Sequence, residues 1–188
     1  MKWTGLVALG MAVVLQQAAG VASAAPARRE VVRSVLRGHE QVRMTAADWR
    51  RLGDDVDVHL VEAAADPRLV FGARQRALSA LGTIGGQRAK EFLHRFLTAG
   101  DASGPLLSAA IQAYGRGFGK DEPAEAQRLG VALLGHADWQ VRRGAVRALG
   151  ALSSEAARAA LRTHQSRETH PAVRSAIRSA LRDAPPAR

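Results

Sequence analysis

Asp138-Trp139-Gln140-Val141-Arg142-Arg143-Gly144-Ala145-Val146-Arg147-Ala148-Leu149-Gly150-Ala151-Leu152 places apolar or small residues at 141, 145, 148, 149 and 152. That three-and-four spacing lines one face of an α-helix. Asp138 is a natural N-cap ahead of it, and Gly150 falls near its end, where glycine takes a left-handed backbone at little cost. The closing Ala-Leu-Gly word recurs. Ala80-Leu81-Gly82, Ala113-Tyr114-Gly115, Ala148-Leu149-Gly150 and Ala180-Leu181-Arg182 set their third residues 33, 35 and 32 positions apart. A period near 33 marks stacked supersecondary units. The same frame extends upstream of each word, as Arg74 then Ala77, Leu107 then Ala110, Arg142 then Ala145, and Arg174 then Ile177.

Between the words lie second helices, predicted over Gln87 to Thr98, Pro123 to Leu134 and Ser154 to Gln165. Their apolar stripes are Ala89, Phe92, Leu93, Phe96 and Leu97; then Ala126, Leu129, Ala132 and Leu133; then Ala157, Ala160 and Leu161. Each unit is a helical hairpin that cannot bury its apolar face alone, so neighbours must stack to complete a core. The fold class that follows is all-α, an α-solenoid of about four stacked hairpins.

Asp138, Val141-Arg142, Ala145 and Ala148-Leu149-Gly150, echoed by Pro171, Val173-Arg174 and Ala180-Leu181, resemble the HEAT and HEAT-like (armadillo-type) repeat consensus over roughly Asp66 to Asp183. The resemblance marks packing positions and says little about activity. It implies that the first helix of each hairpin is convex and the second concave, which would put the helices around Arg95, Arg128 and Arg158 on the concave face. It also implies a structural role for Arg142 and Arg174, reaching a cap Asp or a carbonyl of a neighbouring unit. Two departures stand out. Asp66-Pro67 comes about four residues too early for the frame, and Leu107 stands where Arg is expected. The first hairpin should therefore bulge, and the second should lack its inter-repeat polar contact.

Upstream of the repeats, Thr45-Ala46-Ala47-Asp48 has the form of a capping box with Asp in place of Glu, and Asp54-Asp55 can cap Val56 to Ala64. Residues 25–65 read as capping helices that close the stack, with Glu30 to Arg37 either an extra helix or an extended lead-in. The solenoid spans 66–184. Pro185-Pro186 ends the last helix, and 185–188 form a disordered tail. Residues 1–24 read as a secretory signal: Lys2 precedes an apolar run from Gly5 to Leu15, and Ala22-Ser23-Ala24 supplies the small residues that a signal peptidase requires. The alternative is an uncleaved anchor, because Trp3 to Ala25 could span about 30 Å of hydrocarbon. Cleavage is the expectation, with the protein periplasmic or secreted.

Zero cysteines exclude a disulfide framework, a thiol nucleophile, a zinc ribbon, an iron–sulfur cluster and a lipidated N-terminus. Aromatics at 4% disfavour a base-stacking platform. His39-Glu40-Gln41-Val42-Arg43 begins like a helical zinc-protease motif, but Arg43 stands where the second imidazole is needed. His164 and His170 fall near each other across a turn with no evident further ligands. Gly115-Arg116-Gly117-Phe118-Gly119-Lys120-Asp121 only superficially matches a phosphate-binding loop and reads as a flexible turn. No Ser sits in a Gly-x-Ser-x-Gly setting. Asp54-Asp55 and Asp121-Glu122 precede helices, where they oppose the dipole. No catalytic residue, metal or cofactor is expected.

The net charge of +10 is carried by 27 basic residues against 17 acidic ones. From Ala126 to Arg188 the balance is 11 to 4, whereas Ala25 to Glu125 balances 15 against 13. A basic end on a helical stack attracts an acidic surface. The expected function is an exported, non-catalytic scaffold that binds another protein, acidic in surface, through Arg95, Arg128, Arg158 and Arg162. The alternatives are a HEAT-like enzyme, since the resembling families include chromophore lyases and DNA glycosylases, and a binder of anionic envelope polymers or nucleic acid. Nucleic acid is the less favoured partner, and membrane contact is expected only through an uncleaved signal.

Overall fold

The computed structural model describes residues 25–38, 44–99, 102–152 and 154–183. The signal segment 1–24, the zinc-protease-like stretch 39–43 and the tail 185–188 lie outside the described residues. Among the described residues the chain is helical with no strand: α1 Ala25–Arg37, α2 Ala46–Arg50, α3 Val56–Ala65, α4 Phe71–Ile84, α5 Gln87–Ala99, α6 Gly104–Phe118, α7 Pro123–Leu134, α8 Trp139–Gly150, α9 Glu155–Gln165 and α10 Pro171–Asp183. The four words sit on α4, α6, α8 and α10, which pack side by side as one row. The second helices α5, α7 and α9 cover them.

The recurring frame is the core. Ala77, Ala110, Ala145 and Ile177 have no exposed surface, and Leu81, Tyr114 and Leu149 are buried beside them. Asp138 caps α8 as its sequence suggests, accepting from the Gln140 N–H at 2.7 Å. Gly150 does not take the left-handed role. Positive φ is confined among the described residues to Gly53, Gly85 and Gly86, and Gly150 lies within α8. The word glycines work by closeness instead. A Cβ on Gly82 would stand 2.8 Å from the Ala113 carbonyl carbon, one on Gly115 3.1 Å from Ala148 Cβ, and one on Gly150 2.7 Å from Ala180 Cβ. Each repeat's Gly thus receives the next repeat's Ala.

This contact orders the two rows. The word helices approach to backbone contact, whereas α5 and α7 scarcely touch and α7 and α9 touch lightly. The close-packed face of α4, α6, α8 and α10 is the inner face of the packing, and α5, α7 and α9 form the looser outer row. The glycine-rich stretch from Gly115 is corrected as well: α6 continues to Phe118, with Gly117 close against Gly82, and the turn begins only at Gly119. On α7 the apolar stripe runs through Ala126, Leu129 and Leu134, while Ala132 is exposed.

The N-terminal cap is built from ion pairs. Glu30 to Arg37 belongs to a full helix, α1, which buries Val32 and Leu36 and sends Arg28 to Asp55 (3.5 Å), Arg29 to Glu62 (2.8 Å) and Arg33 to Asp66 (2.9 Å). Asp55 consequently stands at the N-cap of α3 without a capping hydrogen bond. Thr45 and Asp48 close both arms of their capping box. The early Asp66-Pro67 is absorbed in a turn: the Arg68 N–H donates to Asp66 Oδ1 at 2.9 Å, and Leu69 tucks into the core. Leu107 is 2% exposed, so hydrocarbon fills the frame position that Arg74 uses to donate to the Ala64 carbonyl at 3.1 Å.

Candidate partner-binding groove

Arg95, Arg128, Arg158 and Arg162 lie on α5, α7 and α9, the outer row. Three of them are held by carboxylates one or two turns away. Arg128 forks onto Glu125 at 2.8 and 2.6 Å, and Glu155 takes Arg162 at 2.7 Å and Arg158 at 3.5 Å. Arg95 is exposed at the edge of a cleft shared with Lys90, His94, Tyr114, Glu122 and Glu125. Within it Lys90 pairs with Glu122 at 2.5 Å, the Tyr114 hydroxyl donates to Glu122 at 3.2 Å, and His94 Nε2 lies 2.8 Å from Glu125. Burial and the Glu122 carboxylate push the Tyr114 hydroxyl up to about 12. Hydrogen bonds from Arg128 and His94 hold Glu125 down to about 2. Three of the four arginines are thus ion-paired within their own helices, and Arg95 is exposed at the cleft edge.

The inner face is different. At the third and seventh positions before the word's last residue stand Ser79, Gln112, Arg147 and Ser179, and Gln75, Ser108, Arg143 and Ser175. Arg116, one residue past its word on α6, reaches across to Ser79 Oγ at 3.0 Å. None of these positions is acidic, and Arg116, Arg143 and Arg147 have no carboxylate partner among the described residues. Between α8 and α10 the face opens into a groove of about 510 Å³, lined by Arg143 and Arg147 on one wall and Ser175 and Ser179 on the other. Gly150, Ala172, Ala176 and Ala180 complete the lining. Burial first, and then the neighbouring Arg143 charge, lowers the basicity of Arg147; burial alone lowers that of Arg116. Two like charges one helical turn apart repel each other, and an anion in the groove would relieve that cost.

Matches to two family models coincide with this architecture. One, described as HEAT repeats, covers residues 99–182, and the other, described as the PBS lyase HEAT-like repeat, covers 73–99. Together they run unbroken over more than half of the chain. The chain is a HEAT-like repeat protein. A comparison with curated proteins found no match.

The HEAT-like frame also explains Arg142. It donates through Nε and Nη2 to Glu168 at 2.8 and 2.9 Å, and through Nη1 to the carbonyls of His136 and Ala137 at 2.9 and 2.8 Å. Its carbonyl contacts fall in the turn before its own helix, and its acidic partner is Glu168, not a cap Asp. The Glu168 side chain is 1% exposed, also accepts from the His170 N–H at 2.8 Å, and lies 3.0 Å from His164 Nε2. His170 stacks on Trp139, with ring centroids 4.3 Å apart. Thus the His164 imidazole and the His170 backbone N–H meet on an arginine-bound carboxylate that ties two hairpins together, while the His170 ring itself lies on Trp139. Among the described residues no cluster suited to a metal ion is formed.

Glu168, Arg143 and Arg147 occupy places that residue-by-residue motif reading does not single out. A register alignment does contain the signal for the arginines, because the third and seventh positions before the word's end are polar and non-acidic in every copy. Glu168 has no comparable signal, since it stands in a turn outside the repeated frame.

Proposed function

We propose that this HEAT-like repeat protein is an exported, non-catalytic scaffold that docks an acidic protein on its inner face, with Arg143 and Arg147 as the principal contacts. The observation that carries the reading is the charge imbalance between the two rows. Outer-row Arg128, Arg158 and Arg162 are ion-paired with Glu125 and Glu155, whereas Arg143 and Arg147 line a groove with no acidic group among its lining residues, and Arg116 reaches only a serine hydroxyl. Uncompensated charge along a groove steers and orients an acidic partner.

Export rests on Lys2, the Gly5 to Leu15 run and Ala22-Ser23-Ala24. No helix among the described residues is long and apolar enough to cross a membrane. The reading requires no cofactor.

The test is capture from cell-envelope extract, with bound proteins identified by mass spectrometry. The wild-type chain and an Arg95/Arg128/Arg158/Arg162→Ser variant should retain the same acidic protein, and an Arg143/Arg147→Ser variant should lose it. The opposite pattern would return the interface to the outer row.

A further inference from the structure

The partner's local conformation follows from the shape of the groove, an inference that rests on the inner-face docking reading above. Arg143 and Arg147 are four residues apart on α8, so their stems are separated by about 6 Å along the helix axis. An extended peptide presents same-side side chains about 6.6–6.8 Å apart, every second residue. An acidic strand laid along α8 could therefore offer one carboxylate to each guanidinium.

A helix with acidic residues four apart has nearly the same axial spacing, but with its side chains it is about 10–12 Å across, so its backbone stands off a surface that an extended chain can approach directly. The floor here lies between α8 and α10, which close to the point where a Cβ on Gly150 would stand 2.7 Å from Ala180 Cβ. Gly150, Ala176 and Ala180 keep side-chain bulk out of the groove, so a peptide backbone can approach closely, and Ser175 and Ser179 stand on the wall opposite the arginines. A cation wall and a hydroxyl wall over small residues suit a single extended chain with carboxylates on one side.

We infer that the α8–α10 groove binds an extended acidic segment of the partner in which two carboxylates are separated by one residue, Glu-x-Glu or Asp-x-Asp, each paired with one of Arg143 and Arg147. Fluorescence anisotropy on the purified chain tests this with three labelled Gly/Ser peptides of equal length and charge, carrying two Glu residues at spacings of one, two or four. The two-residue spacing should bind at least tenfold more tightly than the others. Arg143→Ser or Arg147→Ser should abolish that preference, with the urea midpoint of folding unchanged as the control for structure. Equal affinity for all three spacings, or no measurable binding of any, would overturn the inference. So would stronger Arg143-dependent binding of a sulfated oligosaccharide or of phosphatidylglycerol vesicles than of the peptide. If the envelope partner is still lost on Arg143/Arg147→Ser while peptide spacing makes no difference, the docking face stands and only the extended geometry fails.

Discussion

Gly82 on α4 meets the backbone of Ala113 on α6 with no room between them: a methyl group on Gly82 would lie 2.8 Å from the Ala113 carbonyl carbon. Helix propensity alone would favour alanine here by about 1 kcal/mol. Overpacking against an immovable carbonyl reverses the sign and costs about 1–3 kcal/mol. Gly82→Ala should therefore destabilise the chain in urea denaturation. Gly72→Ala, also in α4 but facing only the Arg76 guanidinium at 3.6 Å, should be neutral or stabilising. Equal stability of the two variants would contradict the close packing of the inner row.

That contact also shows what the sequence makes legible. The Ala-Leu-Gly period reveals the hairpins because the same small residue is needed at every inter-repeat contact, and such a demand leaves a recurring letter. The relative closeness of the two rows leaves no such letter, since it depends on how the hairpins pack. Charge is legible only in part. Glu125 stands three residues before Arg128 on one predicted helix, so that pairing can be read from the letters, whereas only the fold shows that Arg143 faces a groove without a carboxylate.

Leu149 tests the register. It is 1% exposed on α8 and lies beneath α7, where Gly130 leaves space for its methyl groups. Leu149→Ala should cost about 2–5 kcal/mol, as truncation of a buried Leu with partial collapse of the cavity does. Far-ultraviolet circular dichroism of both proteins should be helical. A change below about 0.5 kcal/mol, the range of ordinary surface substitutions, would place Leu149 outside the core.

Export makes a prediction about a covalent bond. If Ala22-Ser23-Ala24 is a peptidase site, N-terminal sequencing of the protein recovered from the envelope should begin at Ala25, the first residue of α1. An intact Met1 in the membrane fraction would instead identify the segment as a retained anchor.

Glu168 should govern acid stability. Its side chain is buried, and hydrogen bonds from Arg142, joined by those from the His170 N–H and His164, hold its carboxyl down to about 2. An unfolded chain binds that proton near the ordinary Glu value of about 4.3. Because the folded form resists protonation, the stabilisation is fully present above about pH 4.3 and is lost as pH falls toward 2. Glu168→Gln leaves the Arg142 guanidinium without its counter-charge and should cost about 3–5 kcal/mol at neutral pH. The variant should also lose stability less steeply than wild type across this window, so their urea midpoints should converge as the solution is acidified. Midpoints that stay a constant distance apart from pH 6 to pH 2.5 would show that the Glu168 charge contributes nothing to the fold.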